Sequence, residues 1–224
     1  MATMWVEPSD VRVVSGLTEN KISDEDLTAL IESAQKEVFS VISTRVLRER
    51  VLPVDDVRQN ELDGTNKDFY VRNYRGNYIS DYNLDLEIDT EDVTVYLISS
   101  ETGKATETVI HPASIDSEKG KFTLSTAPTN INYIEVSYSY CPHDIITPNP
   151  LLKTAVIYLA SSWAYSSINI SKNISSAKFG NTSISYGKNR EGPDYFMNLY
   201  NASIMNLSDS LGNYAMWGES TIKI

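Results

Sequence analysis

The chain has 224 residues, 41% hydrophobic and 22% charged, a balance that suits one large or two small folded domains and excludes an intrinsically disordered chain. Its net charge of -11 disfavours tight binding to nucleic-acid phosphates. The single cysteine, Cys141, excludes an internal disulfide framework.

The first residues, Met-Ala-Thr-Met-Trp-Val-Glu-Pro, offer neither a basic nor an apolar leader segment, so no secretion signal is expected. The longest apolar stretch, near Val156–Trp163, is too short and interrupted to span a bilayer. Ser9 is placed to cap a short helix through Val14, with Gly16 as its left-handed stop. Ser23 opens a longer helix, predicted to run to Val46, and Asp24, Glu25 and Asp26 suit its positive N-terminal end. Leu27, Leu30, Ile31, Ala34, Val38, Val41 and Ile42 recur at helical spacing and form one apolar stripe.

From about residue 49 the period changes to two. Val93, Val95 and Leu97 alternate with polar neighbours, as do Phe122 and Leu124, and Ile134, Val136 and Tyr138. Turn signals at Asp63-Gly64, Glu101-Thr102-Gly103, Lys119-Gly120 and Ala127-Pro128-Thr129-Asn130 separate these runs. Short strands joined by tight turns predict an antiparallel sheet or small barrel. Helix returns at Asn149-Pro150, an N-cap followed by proline at the first helical position. The run to about Ile168 is apolar on most sides, which predicts a central helix. A polar stretch, 169–191, holds a brief alternation suited to an edge strand or hairpin, and a last helix runs from Pro193 to a stop at Gly212. The expected organisation is α+β: a helical bundle of 1–48 and 142–212, an inserted antiparallel β module of 49–141, and a C-terminal tail of 213–224.

The residues offer little chemistry. Cys141-Pro142-His143-Asp144 brings a thiol, an imidazole and a carboxylate together, but a loop between strand and helix is the better reading, and no catalytic residue is assigned. No phosphate-binding glycine loop, nucleophile elbow or zinc-protease motif is present, and no cofactor is expected. Asp81, Asn83 and Asp85 place oxygen ligands at alternate positions, as in the first half of a calcium loop. Leu86 stands where such a loop needs glycine and Asp92 where it needs glutamate, so the favoured reading is a strand or turn with an acidic solvent face. Tyr70, Tyr74, Tyr78 and Tyr82, with Arg72 and Arg75, read as a protein interface more readily than as a platform for single-stranded nucleic acid. Phe179, Ile184 and Tyr186 in the polar stretch, and Tyr214, Met216, Trp217 and Ile222 in the tail, are candidate partner-binding residues, being apolar side chains with no obvious cover.

The N-terminal pattern Val11-Arg-Val-Val-Ser-Gly16-Leu, with Ile22-Ser-Asp-Glu-Asp26-Leu and Leu30-Ile-Glu-Ser-Ala34, resembles the opening of head–tail connector (adaptor) proteins of tailed viruses. Asp63-Gly-Thr-Asn, Asp89-Thr-Glu-Asp-Val-Thr-Val-Tyr96 and Gly120-Lys-Phe-Thr-Leu-Ser-Thr-Ala-Pro128, leading to Val136-Ser-Tyr-Ser-Tyr140, are similar to the β insertion of some such connectors from bacterial and archaeal viruses. The resemblance implies a non-enzymatic structural subunit, assembled in the host cytoplasm and located in the virion neck. It implies a ring with itself, usually of twelve copies, bound to the portal protein and to tail or stopper proteins, with DNA only as passing cargo and no membrane. The alternatives are a tail-completion or stopper protein, and a calcium- or carbohydrate-binding β module on a helical base.

Overall fold

The computed structural model describes residues 4–51, 60–73, 76–101, 104–172, 178–179, 182–183 and 192–218. The fold is α+β, and the chain divides into two compact units: Phe39–Pro148, and Met4–Val38 together with the residues from Asn149 onward.

The helical unit draws on both ends of the chain. Helix α1 (Pro8–Ser15) begins one residue before the expected Ser9 cap, because Glu7 is the N-cap and Asp10 Oδ2 accepts its backbone N–H. Gly16, at φ 70°, ends α1 as its left-handed signal predicts, a conformation costly for a residue with a Cβ. Ser23 caps α2 (Asp24–Ile42), its Oγ accepting the Asp26 N–H at 3.1 Å. Arg12 ties the two helices by donating to Asp24 Oδ1 and to the Ile22 carbonyl. Helix α3 (Pro150–Lys172) is capped by Asn149, whose Oδ1 accepts the Leu152 N–H at 3.0 Å, and it outruns the expected end at Ile168. It packs against α1 and against α4 (Pro193–Gly218). Leu152, Val156, Leu159, Ala160 and Ala164 are buried on α3, and Phe196 of α4 stacks on Tyr165 at 5.6 Å. Tyr165 also donates to the Ser15 carbonyl at 2.6 Å, closing α3 on the end of α1.

Two further helix ends differ from expectation, and by more. The α2 stripe does not continue to Val46; the helix stops at Ile42 and the chain turns to strand at Thr44. Residues 41–46 are mostly β-branched or small polar, and pairing with a distant strand outweighs their weak helical preference. Conversely, α4 runs through Gly212 to Gly218. Glycine within a helix costs only about 1 kcal/mol against alanine, too little to stop a helix that goes on making hydrogen bonds.

The β unit contains β1 (Thr44–Val51), β2 (Asp68–Tyr70), β3 (Tyr78–Ser80), β4 (Thr94–Glu101), β5 (Lys104–Ile110), β6 (Ser114–Asp116), β7 (Lys121–Thr123) and β8 (Tyr133–Cys141). The larger sheet runs β1-β8-β4-β5, with β3 pairing β8 beyond the end of β4; the smaller runs β2-β7-β6, and every pairing is antiparallel. The alternation in 133–141 becomes a buried row of Ile134, Val136 and Tyr138, which joins Val93, Val95, Phe69 and Phe122 in one core. The two-residue strands β9 (Lys178–Phe179) and β10 (Thr182–Ser183) pair antiparallel. Among the described residues, no helix is long and apolar enough to cross a membrane.

Candidate functional site: the arginine face of the β unit

Side chains of a regular strand alternate between faces, so Arg48 and Arg50 of β1 would share the face of Val46, which packs on the core, and Arg45 would lie opposite. The observed register breaks that rule. Val46 opposes Tyr138 and Glu49 opposes Val136, so three residues on β1 match two on β8. Leu47 and Arg48 together oppose Ser137, forming a β-bulge. Arg48 takes φ 54°, and its N–H is captured by Ser137 Oγ at 3.0 Å. Beyond the bulge Glu49 and Val51 meet the core-facing Val136 and Ile134, while Arg50 meets Glu135. One extra residue therefore gathers Arg45, Arg48 and Arg50 on the non-core face.

Each of these arginines lies over a tyrosine from a different segment. The guanidinium carbons stand 4.3 Å from the Tyr82 ring centroid for Arg45, 4.3 Å from Tyr96 for Arg48 and 4.5 Å from Tyr133 for Arg50. Arg48 spans the sheet, donating Nε to Glu135 Oε2 at 2.7 Å and Nη2 to Glu107 Oε2, and these bonds hold its proton more tightly than usual. Arg45 donates to the Tyr82 carbonyl at 2.6 Å. Among the described residues, neither Arg45 nor Arg50 has a carboxylate within ion-pair distance. Leu47, in the bulge between them, is 68% exposed. On the other face, Glu49 accepts the Arg72 N–H at 2.7 Å and lies 3.3 Å from the Tyr138 hydroxyl, which burial, and then Glu49, push up in pKa.

The sequence pointed elsewhere. Asp81, a candidate calcium ligand at the head of an acidic solvent face, is in fact 1% exposed. Its Oδ1 accepts the Asp85 N–H at 3.2 Å and its Oδ2 the Leu86 N–H at 2.7 Å. Asn83 and Asp85 remain exposed and bond each other, Asn83 Nδ2 donating to Asp85 Oδ2 at 3.0 Å. Asp92 completes the loop from inside: Oδ1 accepts from Tyr82 N at 2.6 Å and Oδ2 from Asp89 N at 2.9 Å. Burial, partly offset by these N–H groups, raises the carboxyl pKa of Asp81 and pushes that of Asp92 up to about 6. The clamps hold Leu84 and Leu86 at φ 60° and 71°, conformations that cost a non-glycine residue about 1–2 kcal/mol each. These carboxylates are thus spent on the loop's own backbone. Among the described residues, no three His, Cys, Asp or Glu side chains gather to hold a metal ion.

Cys141 is fully buried, and burial pushes its thiol up to about 12. His143 reaches the sulfur only through its backbone N–H, 3.4 Å from Sγ. Its buried Nε2 has no hydrogen-bond partner among the described residues, and burial pushes the imidazole pKa down. At neutral pH this is a protonated thiol beside a neutral ring, which is not an activated nucleophile.

The tyrosine stretch is dispersed: Tyr70 lies on β2 of the smaller sheet, Tyr78 on β3 of the larger, and Tyr82 beneath Arg45, while Tyr74 and Arg75 lie outside the described residues. Of the apolar candidates, Phe179 falls in β9 and Tyr214, Met216 and Trp217 in α4, so the last three belong to a helix and not to an aperiodic tail. Ile184, Tyr186 and Ile222 lie outside the described residues. The expected boundary between helix and β module cuts through this strand, Thr44–Val46 reading as the end of a helix and 49–51 as the start of the module, so the sequence does not bring the three arginines onto one face. Their signal was there: three arginines within six residues of a strongly acidic chain, flanked by Thr44, Val46 and Val51.

The chain matches no protein-family model and no curated protein.

Proposed function

We propose that the protein is a non-enzymatic head–tail adaptor, a subunit that forms a ring below the portal in the virion neck, extends the DNA channel and docks the tail. The observation that carries this reading is the division of the chain: a helical unit drawn from both ends, with an antiparallel β unit of 39–148 between them. That is the organisation implied by the resemblance of the N-terminal helices and the central strands to connector proteins. Two features of the β unit support it. The groups that could have carried chemistry, Asp81, Asp92 and Cys141, are committed to the interior. The exposed arginine–tyrosine face has the composition of a protein-binding surface, in which these two residue types are enriched. The acidic balance suits a channel through which DNA must slide without sticking.

Antibody–gold labelling of intact particles tests the proposal. Decoration at the junction of head and tail is expected, and particles assembled without the protein should carry filled heads and no tails. Decoration of the shell or the tail tip, or normally tailed particles in its absence, would overturn it.

A further inference from the structure

On a chain with 30 acidic and 19 basic side chains, β1 presents two arginines that have no carboxylate partner among the described residues, and an exposed leucine, on one short strand. We infer that this face docks on an acidic surface of a second copy of the chain, so that copies join head to tail. The inference rests on the ring-forming reading above and names the surface that makes the ring.

The first ground is pre-organisation. A guanidinium held over a tyrosine ring has already lost much of its rotamer freedom, so less entropy is lost when a partner binds its remaining N–H groups. Arg45 and Arg50 flank Leu47, which places an apolar centre between cationic edges, as in the core and rim of an interface hot spot. Arg48 is already neutralised by Glu107 and Glu135, so its part is to brace the sheet under that surface.

Charge selects the occupant. Two copies of the face would set arginines against arginines, which disfavours a two-fold contact through it. The complement most abundant on another copy is acidic, since the whole chain carries -11. A contact between two different surfaces of identical subunits is heterologous, and repeating it closes a ring or extends a filament. Nucleic acid fits less well. Two arginines with no carboxylate partner among the described residues fall far short of the roughly six to ten phosphate contacts of a firm electrostatic complex, and the net charge repels the backbone. Addition of a strand to the edge of β1 is opposed by the bulge and by the charged side chains, both of which blunt an edge.

Sedimentation velocity on the full chain tests the inference, at about 50 mM and about 500 mM salt to vary the screening. The wild type should associate reversibly at low salt, and about tenfold more weakly at high salt. The Arg45→Glu/Arg50→Glu variant should stay monomeric in both, with an unchanged circular dichroism spectrum. Added in excess to wild type it should occupy every basic face and leave 1:1 heterodimers, because it retains the acidic surface and lacks the basic one. Should that variant misfold, Arg45→Gln/Arg50→Gln serves instead, with association weakened at least tenfold. A Lys36→Glu/Lys153→Glu control makes the same charge change on the helical unit and should associate as wild type does. Association that ignores salt, survives in the arginine variants, is lost equally in the lysine control, or is absent from the wild type would overturn the inference. Portal-bound rings formed normally by the arginine variant would overturn it while sparing the adaptor reading. Arginine-dependent association without any portal binding would do the reverse.

Discussion

Replacing Asp92 by asparagine should remove most of the stabilisation that mild acidification gives the β unit through its buried carboxyls. Asp92 is 1% exposed, and burial pushes its carboxyl from 3.8 up to about 6. A carboxyl with a raised folded-state pKa binds its proton more tightly in the folded than in the unfolded protein. Its contribution is therefore fully present below 3.8 and is lost as pH rises through about 6. Between those limits the difference amounts to about 3 kcal/mol. Asp63, Asp68 and Asp116 have lowered pKa values, set mainly by hydrogen bonds from Thr65, Thr123 and Lys119, so their stabilisation is lost only below the normal carboxylate range. From about pH 7 to pH 4.5 the raised carboxyls favour the folded protein, Asp92 by on the order of 2 kcal/mol, whereas His143, its imidazole pushed down by burial, binds its proton more tightly in the unfolded chain and subtracts from that gain. In Asp92→Asn only the smaller favourable part due to Asp81 is left to oppose His143, so the slope should be less favourable to the folded state at low pH than in wild type. At neutral pH the variant loses a buried charge, but one amide oxygen must serve N–H groups that now converge on two carboxylate oxygens. An unmatched buried donor costs about 1–3 kcal/mol, so the two effects nearly cancel and the pH slope is the discriminating quantity. Urea denaturation followed by circular dichroism at constant ionic strength measures that slope, and carbon-13 NMR of the Asp92 carboxyl gives the midpoint directly. Equal slopes in the two proteins, or a midpoint near 4, would refute the reasoning.

Other perturbations address the core, the thiol and the helix ends. Phe122→Ala removes a fully buried ring stacked 5.8 Å from Phe69, and should cost about 3–5 kcal/mol in urea denaturation; a loss under 1 kcal/mol would mean that the two sheets do not share this core. Cys141 should be inert to a disulfide reagent at neutral pH and react only as fast as the β unit opens, a rate that added urea should increase; rapid labelling of the native protein would contradict its burial. Asn149→Ala removes the α3 cap and should lower stability by about 1 kcal/mol, whereas Asn149→Asp should be nearly neutral.

Legibility in the sequence followed the range of the interaction. The stop at Gly16, the cap at Ser23 and the Asn149-Pro150 start of α3 were readable because each is made by backbone and side-chain groups within a few residues. The alternation of 133–141 was readable because a half-buried strand writes its own period into the sequence. The α2–β1 boundary was not, because β1 is decided by pairing with β8, some ninety residues away, against a weak local preference for helix. Nor was the acidic loop. Asp81 and Asp92 look like solvent-facing charges until the chain folds over them and turns its own N–H groups inward.

The arginine face shows the same division most clearly. The sequence alone determined that three cations stand within six residues of an acidic chain, and read as a regular strand it would have split them between two faces. Tertiary structure decided that Leu47 and Arg48 both oppose Ser137, an outcome set by the register on β8 and by one hydroxyl that accepts one backbone N–H. A one-residue offset reverses every side chain beyond it, so facing is a property of the paired strands and not of β1 alone.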